Sequence, residues 1–166
     1  IHWKELKMLE SDIYDYLDSQ NIKYQVIEHR AVFTIDEIAE ENIEGFEYVA
    51  KNLFVRDDKK RHYYLIVVQK DKKVNMKELQ NKMESRRLSF ASADDLYHYL
   101  KLTQGEVTPL GIFNDESLSV EVIFDKDIPE TIGVHPLTNT KTIFLKTQDL
   151  INLIKKHGNK SNLVSI

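Results

Sequence analysis

The sequence contains no cysteine among its 166 residues, and this absence excludes several classes of protein. A disulfide-stapled scaffold, a thiol nucleophile and a zinc or iron–sulfur site built on thiolates all require cysteine. No apolar run approaches the roughly 18 residues that span a bilayer, and the longest, Tyr63 to Val68, is strand-sized. Because the N-terminus also lacks a signal-peptide pattern, we expect a cytoplasmic protein with no membrane partner.

Glycine and proline are also scarce, with 5 and 3 residues respectively. The chain has no Pro/Gly/Ser-rich linker, low-complexity tract or internal repeat, so we expect a single domain over residues 1–166. A hydrophobic content of 42% supports a packed core and argues against a disordered chain. The last residues, 159–166, carry few helical signals, and we expect them to form a flexible tail.

Motifs for metal and cofactor binding are missing as well. None of the six histidines forms a His-x-x-x-His pair beside a carboxylate, which argues against a metal site. The sequence has no Walker loop, no dinucleotide fingerprint and no Gly-x-Ser-x-Gly elbow. We therefore expect neither a metal nor a cofactor.

Charge is unevenly distributed along the chain, although the net charge is only −4. Residues 1–50 carry 4 basic and 12 acidic groups, whereas residues 51–101 carry 13 basic and 7 acidic groups. A polyanion can therefore find a basic segment on this acidic protein, although charge alone favours solvated lysines on loops and helix faces. Clustered basic and aromatic stacking motifs are absent, so we expect no DNA partner and no general nucleic-acid binding.

Helical and strand periodicities alternate along the chain. Helical spacing and capping residues predict helices from Trp3 to about Asn21 and over 35–41, 76–83, 92–100 and 147–157. Thr34, Ser92 and Thr147 are the predicted N-caps, and Gly158 is the predicted stop. Strands are predicted over 24–27, 48–55, 61–69, 88–90, 111–113, 119–124 and 142–145. Because many strands are neighbours in sequence, the pattern favours an α+β fold with a mixed sheet and helices packed outside.

Two consecutive polar residues, Lys51 and Asn52, interrupt a strand that is otherwise apolar on both faces. Lysine is almost never fully buried without a partner. Lys51 could reach the sheet edge or pair with an acid, or it could hold an anion where the sheet opens into a pocket. The pattern alone favours neither interpretation.

Two further segments have the composition of ligand-binding loops. In the loop from Gly105 to Pro109, glycine allows the backbone to approach a ligand closely, although an ordinary connection is the commoner explanation. His135 precedes a proline, which holds it in extended geometry. It is either a surface histidine, which the segment alone slightly favours, or a ligand-facing imidazole.

Five stretches in this order carry a family resemblance: HRAVFT at 29–34, KNLFVRD at 51–57, RLSFAS at 87–92, GEVTPLG at 105–111 and HPLTNTKT at 135–142. Together they resemble the YbaK/ProX family of aminoacyl-tRNA deacylases, freestanding relatives of the editing domain inserted in bacterial prolyl-tRNA synthetases. The resemblance covers nearly the whole chain. It implies a mostly antiparallel sheet or partial barrel of the editing-domain type.

The resemblance also implies a function, the hydrolysis of a mischarged amino acid from the 3′ adenosine of tRNA. The RLSFAS and HPLTNT motifs are similar to those of the ProX branch, which implies alanine on proline tRNA as the substrate. A cysteinyl-tRNA deacylase of the same family, or a non-catalytic module that senses aminoacyl-tRNA or an amino acid, are the alternatives. The implied partners are the aminoacyl-tRNA acceptor end and prolyl-tRNA synthetase.

Site residues follow from the positions that match the family motifs. These are Lys51 as the catalytic residue, and Asn52, Gly105, Glu106, Val107, Thr108, Pro109 and His135 in substrate binding. Loop N–H groups would hold the ester carbonyl, while Lys51 would bind the terminal phosphate or orient the ester. The sequence departs from the family at Gln104, where proline is common, and at Val134, where an aromatic residue is common.

A size argument accompanies the implied substrate. A synthetase pocket built for proline rejects alanine weakly, because each missing methylene is worth only about 1–3 kcal/mol. A second pocket that admits alanine and excludes proline completes the selection. Val49, Leu53 and Val107 are the predicted walls of that pocket.

Overall fold

The computed structural model describes residues 7–166, and this range contains five α-helices and eight β-strands. The helices are α1 (Glu10–Ser19), α2 (Ile35–Glu40), α3 (Met76–Met83), α4 (Ala93–Leu100) and α5 (Thr147–His157). The strands are β1 (Tyr24–Glu28), β2 (Ala50–Asp57), β3 (Tyr63–Gln69), β4 (Leu88–Phe90), β5 (Val120–Asp125), β6 (Thr131–Val134), β7 (Lys141–Lys146) and β8 (Ser161–Val164). Short 3-10 helices occupy Phe46–Tyr48 and Pro109–Asn114.

The strands form two open sheets that meet near the start of β2. The larger sheet has the order β4-β2-β3-β5-β8, and the smaller has the order β1-β7-β6. Four of the strand pairs are antiparallel, while β5 is parallel to both β3 and β8. A single bridge between Val49 and Gly133 links the two sheets. The predicted α+β class with a mixed, mostly antiparallel sheet is confirmed, and the sheet does not close into a barrel.

Three apolar clusters hold these layers together. The largest draws side chains from both sheets and packs them against α1, α4 and α5. A second cluster lies on the opposite face of the large sheet, where Leu79 of α3 covers Val55 and Ile66. A third packs Ile38 of α2 against Val49 and Phe144. Alternation along β2 therefore buries residues on both faces, as expected of a central strand.

Side-chain caps define two of the predicted helix starts. Thr34 Oγ1 accepts a hydrogen bond from the N–H of Glu37, and Ser92 Oγ accepts one from Asp95. The predicted cap at Thr147 is wrong, because Thr147 is the first residue of α5 and donates its hydroxyl to the Pro129 carbonyl. Within residues 7–166, no helix combines the length and apolarity needed to cross a membrane.

Three other local predictions differ from the structure. Residues 111–113 belong to a 3-10 helix, because Thr108 caps the turn and Pro109 occupies its first position. The strand β6 has no counterpart among the predictions. Residues 159–166 are not a flexible tail, since β8 pairs with β5 and extends the large sheet. The predicted first helix begins before residue 7, outside the described range, and α1 itself starts at Glu10.

Candidate active site

A cavity of about 270 Å³ opens where the two sheets meet. The start of β2 and the end of β6 form its floor, and the loop at Gly105 forms one side. The segment that leads into α2 forms the other side, with Phe33 60% exposed at its rim. Polar and apolar groups contribute about equally to the walls, and the polar lining side chains include Lys51, Asn52 and His135.

The structure brings five of the eight predicted site residues to this cavity. They are Lys51, Asn52, Gly105, Val107 and His135. The other three, Glu106, Thr108 and Pro109, are not part of its lining. Thr108 is completely buried and donates its hydroxyl to the His135 carbonyl at 2.7 Å, so it supports the site from behind. The roles of Glu106, Thr108 and Pro109 in substrate binding stay predictions.

The predicted cavity walls are placed unequally. Val49 and Val107 line the cavity, as the size argument requires. Leu53 lies further along β2 and does not line the cavity. The lining also includes residues that the size argument did not name, such as Ile38 and Gly133.

Lys51 is held by a backbone carbonyl instead of an acid. Its Nζ donates a hydrogen bond to the Lys72 carbonyl in the turn that follows β3. No carboxylate among residues 7–166 lies within ion-pair distance of Lys51 Nζ. Because an ammonium group carries three N–H donors, Lys51 keeps donors for an anionic or ester oxygen.

A buried carboxylate fixes the turn that holds Lys51. Asp125 is fully buried and accepts a hydrogen bond from Lys72 Nζ at 2.6 Å. It also accepts backbone N–H bonds from Asp127 and Ile166. The Asp125–Lys72 pair raises the pKa of Lys72, because the neighbouring carboxylate stabilises the ammonium form. Asp125 is thus a positioning residue that the sequence patterns did not reveal.

Replacing Asp125 should therefore loosen Lys51 as well as the fold. We expect Asp125→Asn to lower the free energy of unfolding by roughly 1–3 kcal/mol, because hydrogen bonds to a buried carboxylate are weakened or lost. We also expect kcat for the ester hydrolysis that the resemblance implies to fall by about tenfold as Lys72 and its carbonyl move. Chemical denaturation and single-turnover kinetics measure the two effects.

The matched control is Asp127→Asn. Asp127 contacts the same ammonium at 3.4 Å but its side chain is 72% exposed, so its substitution should leave both quantities nearly unchanged. Equal effects of the two substitutions would contradict the positioning role of Asp125.

The loop at Gly105 lines the cavity and contains backbone N–H groups without an acceptor. Within the described chain, the backbone N–H groups of Gly105 and Val107 have no hydrogen-bond acceptor, whereas that of Glu106 donates to the Thr103 carbonyl. Gly105 has a φ of +87°, and a Cβ built there would lie 2.5 Å from Phe33 Cδ1. Glycine therefore allows the turn and its close approach to Phe33. Such fixed N–H donors can stabilise the oxyanion that develops during ester hydrolysis.

Asn52 connects this loop to the strand that carries Lys51. Its Nδ2 donates to the Val107 carbonyl at 3.4 Å. Its Oδ1 is buried and accepts no hydrogen bond from any residue between 7 and 166. An unpaired buried acceptor is costly in a folded protein and marks a position where a ligand hydroxyl or amine can bind.

The surroundings of His135 favour the neutral form of its imidazole ring. Its Nδ1 donates to the Lys141 carbonyl at 3.0 Å, which leaves Nε2 as an acceptor when the ring is neutral. Burial lowers the pKa of His135, and nearby His29 lowers it further, while the hydrogen bond to Lys141 and the charge of Glu106 act in the opposite direction. An Nε2 acceptor can bind the amino group of a substrate or an attacking water.

Sequence reasoning missed His29 and Thr142 as parts of this site. The His29 and His135 rings lie 6.3 Å apart, and His29 Nε2 bonds to the hydroxyl of Thr142 at 2.8 Å. Thr142 lines the cavity and is almost completely buried. His29 opens the HRAVFT stretch, so the resemblance marked its segment without assigning the residue a role.

The lowered pKa of His135 predicts a pH dependence. The unfolded chain binds more protons than the folded protein below the ordinary pKa of 6.5. The stabilising contribution of neutral His135 is therefore present above pH 6.5 and is lost as the pH falls through the folded-state pKa. We expect kcat/KM to have an acid limb in the same range, below pH 6.5, because Nε2 loses its acceptor when protonated.

Rates of ester hydrolysis between pH 5 and 8, corrected for spontaneous hydrolysis, measure this limb. His135→Asn should lower the rate and remove the limb. His62→Gln, which changes an exposed histidine in the β2–β3 hairpin, should leave the profile unchanged. An acid limb of the same position in the His135→Asn variant would contradict the assignment.

The basic segment identified in the sequence is divided between two ends of the large sheet. Lys59, Lys60 and Arg61 lie in the β2–β3 hairpin, at the end of β2 opposite Lys51. Arg86 pairs there with Asp58 at 2.6 Å. Lys70 and Lys72 lie at the cavity end, where Lys72 pairs with Asp125. No cluster of metal-ligating side chains occurs within the described part of the chain.

Comparisons with known proteins agree with this architecture. The aminoacyl-tRNA editing domain family matches residues 29–153. The prolyl-tRNA editing protein ProX of Acetoanaerobium sticklandii is 45% identical over 152 residues, covering 90% of this chain and 93% of that protein. The mouse prolyl-tRNA synthetase associated domain-containing protein 1 is 32% identical over 158 residues, covering 90% of this chain and 92% of that protein.

A solved structure shares the fold. The crystal structure of a candidate trans-editing enzyme for prolyl tRNA synthetase superposes with a TM-score of 0.69 at 16% identity, covering 96% of this chain and 98% of that one. With the fold and the cavity, these findings define the class: the protein is a hydrolase, an aminoacyl-tRNA deacylase. Within that class, the chain belongs to the aminoacyl-tRNA editing domain family.

Proposed function

We propose that this protein hydrolyses alanyl-tRNA(Pro) in trans. The observation that carries the proposal is the convergence of Lys51, Asn52, the Gly105 loop and His135 on one cavity. The 45% identity to a prolyl-tRNA editing protein over nearly the whole chain supports proline tRNA as the carrier. The similarity of the RLSFAS and HPLTNT stretches to the ProX branch supports alanine as the amino acid that is removed.

The residues divide the chemistry of ester hydrolysis between them. The N–H groups of Gly105 and Val107 bind the ester carbonyl and stabilise the oxyanion as it forms. Lys51 binds an anionic oxygen of the terminal nucleotide and orients the ester. The neutral His135 Nε2 accepts a hydrogen bond from the α-amino group or from the attacking water. No covalent intermediate is needed, because water is the nucleophile.

Selectivity against proline comes from the walls of the cavity. Val49, Ile38 and Val107 line the cavity together with Gly133, which has no side chain of its own, and we assign the selection of a methyl side chain to them. A pyrrolidine ring adds two carbon atoms and a fixed ring geometry, and the proposal requires that it crowd these side chains. Overpacking of this kind typically costs about 1–3 kcal/mol, which is sufficient for a discrimination of 10- to 100-fold.

A deacylation panel tests the proposal. Purified protein is incubated with tRNA(Pro) that carries alanine, serine, cysteine or proline, and loss of each ester is followed against spontaneous hydrolysis. We expect the alanine ester to be lost fastest and the proline ester to be spared by about 100-fold. Preference for the cysteine ester would assign the cysteinyl branch instead. Saturable tRNA binding with no turnover of any ester would contradict the proposal and favour a binding module.

We also propose that the protein acts in the cytoplasm beside prolyl-tRNA synthetase. The name of the mouse relative, a prolyl-tRNA synthetase associated domain-containing protein, supports this pairing. Co-sedimentation of the purified protein with the synthetase, with and without tRNA(Pro), tests it. Failure to co-sediment in either condition would contradict a direct partnership and leave the deacylase activity unaffected.

A further inference from the structure

The reaction cavity, where the two sheets meet, has a pair of neighbouring polar side chains on one wall. The antiparallel register of β6 and β7 pairs Val134 with Ile143. The next pair along this register is His135 with Thr142, and both residues line the cavity. Side chains of directly opposite residues lie on the same face, with their Cβ atoms about 4.5–5.5 Å apart. A single small group of a ligand can therefore contact both side chains.

Both members of this pair are hydrogen-bond acceptors. His135 donates from Nδ1 to the Lys141 carbonyl, and Nε2 of the neutral ring has no hydrogen-bond partner among the described residues. His29 Nδ1 lies 2.8 Å from the Arg30 carbonyl oxygen, which can only accept, so Nδ1 carries the proton of that ring. His29 Nε2 is then an acceptor, and the Thr142 hydroxyl donates its one proton to it at 2.8 Å. Thr142 therefore has lone pairs for a ligand but no proton to donate.

Two adjacent acceptors are complementary to a ligand group that has two hydrogens to donate. A neutral primary amine has two N–H groups, whereas a hydroxyl group, a secondary amine and an acylated nitrogen each have one donor. Because a hydrogen bond spans about 2.9 Å, one nitrogen can bridge two acceptors that are up to about 5 Å apart. A group with a single donor leaves one of the two buried acceptors unpaired, which is costly.

The charges around the cavity favour a neutral amine over an ammonium group. Among the described residues, no carboxylate lines the cavity, whereas the Lys51 side chain does. Glu106, whose charge acts on His135, accepts a hydrogen bond from the Thr103 hydroxyl and lies outside the lining. An α-amino group has an ordinary pKa of about 7.7–8.0, so a substantial share of it is neutral near pH 7.5. Recognition therefore depends on the hydrogens of the amine and not on a positive charge.

We propose that His135 and Thr142 together bind the free α-amino group of the aminoacyl ester and select esters in which this group is a primary amine. The inference rests on the proposed function and adds a second basis for rejecting proline, besides the walls of the cavity. The α-nitrogen of proline belongs to the pyrrolidine ring and has one N–H when neutral, so one acceptor stays unpaired. Peptidyl and other N-acylated esters are rejected for the same reason. His29, which holds the Thr142 proton, is a positioning residue.

The first test compares two esters with the same side chain. Lactyl-tRNA(Pro) has a hydroxyl group in place of the α-amino group of alanyl-tRNA(Pro) and keeps the methyl group. The value of kcat/KM for each ester is divided by the rate of its spontaneous hydrolysis, which removes the difference in intrinsic reactivity. We expect the alanine ester to be preferred by about 10- to 100-fold, because the lactate ester leaves a buried acceptor unpaired. Equal normalised values would overturn the proposal.

A second comparison separates recognition of the amine from recognition of size. N-methylalanine has its extra carbon atom on the nitrogen and is a secondary amine, whereas 2-aminobutyrate has that carbon on the side chain and keeps the primary amine. We expect the N-methylalanine ester of tRNA(Pro) to be hydrolysed about as slowly as the lactate ester, and more slowly than the 2-aminobutyrate ester. The reverse order would assign the selection to crowding by the walls and would contradict the proposal.

Substitutions of Thr142 test the residue assignment. Thr142→Val removes the acceptor and keeps the shape of the side chain, so the preference for the alanine ester over the lactate ester should fall by about tenfold. Thr142→Ser keeps the hydroxyl group and should retain the preference. The preference is a ratio of two rates of the same variant, so a partial loss of folded protein does not change it. An unchanged ratio in Thr142→Val would overturn the assignment.

Two further variants complete this series. His29→Phe frees the Thr142 hydroxyl to donate as well as to accept, so it should also lower the preference for the alanine ester. The matched control is Thr140→Val, because Thr140 is exposed in the turn before β7 and lies outside the cavity lining. Its ratio should equal that of the unsubstituted protein. Equal ratios in His29→Phe and Thr140→Val would contradict the positioning role of His29.

Binding measurements without turnover distinguish this inference from the proposed function. A tRNA(Pro) that carries alanine or lactate through a 3′-amide is not hydrolysed, and we expect the alanine conjugate to bind about tenfold more tightly. Hydrolysis of the alanine ester with no preference over lactate, in turnover or in binding, would overturn recognition of the amine and leave the proposed function intact. Tighter binding of the alanine conjugate without hydrolysis of any ester would overturn the proposed function and support recognition of the amine.

Discussion

Lys51→Ala is expected to reduce kcat for hydrolysis of the alanine ester by about 10²- to 10³-fold, the usual cost of removing a fixed electrostatic contact in an active site. The loss should exceed any change in stability, because Lys51 makes one hydrogen bond, to the Lys72 carbonyl, and no ion pair with a described residue. Lys51→Arg should recover little activity, since the guanidinium group is larger and differently shaped. Single-turnover kinetics and chemical denaturation of each variant measure the two quantities.

Lys73 provides the control for this substitution. It is an exposed lysine in the turn whose Lys72 carbonyl binds Lys51, and it does not line the cavity. Lys73→Ala removes the same charge from the same turn and should leave kcat nearly unchanged. If both variants lose activity equally, the effect belongs to the net charge of this surface and not to the Lys51 ammonium.

Gly133→Ala should reduce kcat/KM by about 100-fold through a single added methyl group. A Cβ built on Gly133 lies 2.6 Å from Phe144 Cε1 and 3.1 Å from Thr142 Cγ2, so both side chains must move. Phe144 is packed in the cluster beneath α2, and Thr142 lines the cavity beside His135. A displacement of about 1 Å at a reacting centre is enough for a loss of this size.

The chain offers a matched overpacking control at Gly111. A Cβ there lies 2.6 Å from Leu102 Cδ1, the same separation as at Gly133, but Gly111 does not line the cavity. Both alanine variants should lose roughly 1–3 kcal/mol of unfolding free energy. Only Gly133→Ala should also lose catalytic activity. Kinetics at a temperature where both variants are folded measure this difference. Parallel losses of activity would mean that Gly133 acts through stability alone.

The large sheet was predictable where one strand carries a strong local signal. Alternation along β2 placed Ala50 and Phe54 on one face and Leu53 and Val55 on the other, and the structure buries them in separate clusters. Short apolar runs carry less information, because a run of three residues fits a strand or a tight helical turn equally well. Residues 111–113 are such a run, and Pro109 selects the helical turn.

The weakest predictions concern elements that depend on distant partners. β6 contains Gly133, which lowers the strand signal, and it is held by antiparallel pairing with β7. β8 contains polar and exposed residues, so its composition gives only a weak strand signal. The strand is stabilised by its pairing with β5. Tertiary pairing overrides a weak local preference in both cases.

In the candidate site too, residues with a local sequence signal could be predicted, whereas contacts between distant residues could not. Lys51, Asn52, Gly105 and His135 could be singled out because each is an unusual residue type for its local pattern. The supporting contacts could not, because Asp125 reaches Lys72 across 53 residues and His29 reaches Thr142 across 113 residues. No periodicity or spacing rule extends over such separations.

The pairing of β1 with β7 has a consequence for how the protein folds. It joins residues near the start of the described chain to residues near its end, and a parallel pair, β3 with β5, lies between them. Non-local pairing of this kind slows folding, because closing long loops costs conformational entropy before the stabilising contacts form. His29 follows β1 and bonds to Thr142 of β7, which lines the reaction cavity, so this side of the cavity forms only after the pairing. A nascent chain would therefore emerge from the ribosome inactive, and hydrolytic activity would appear only once β7 has been synthesised and has docked.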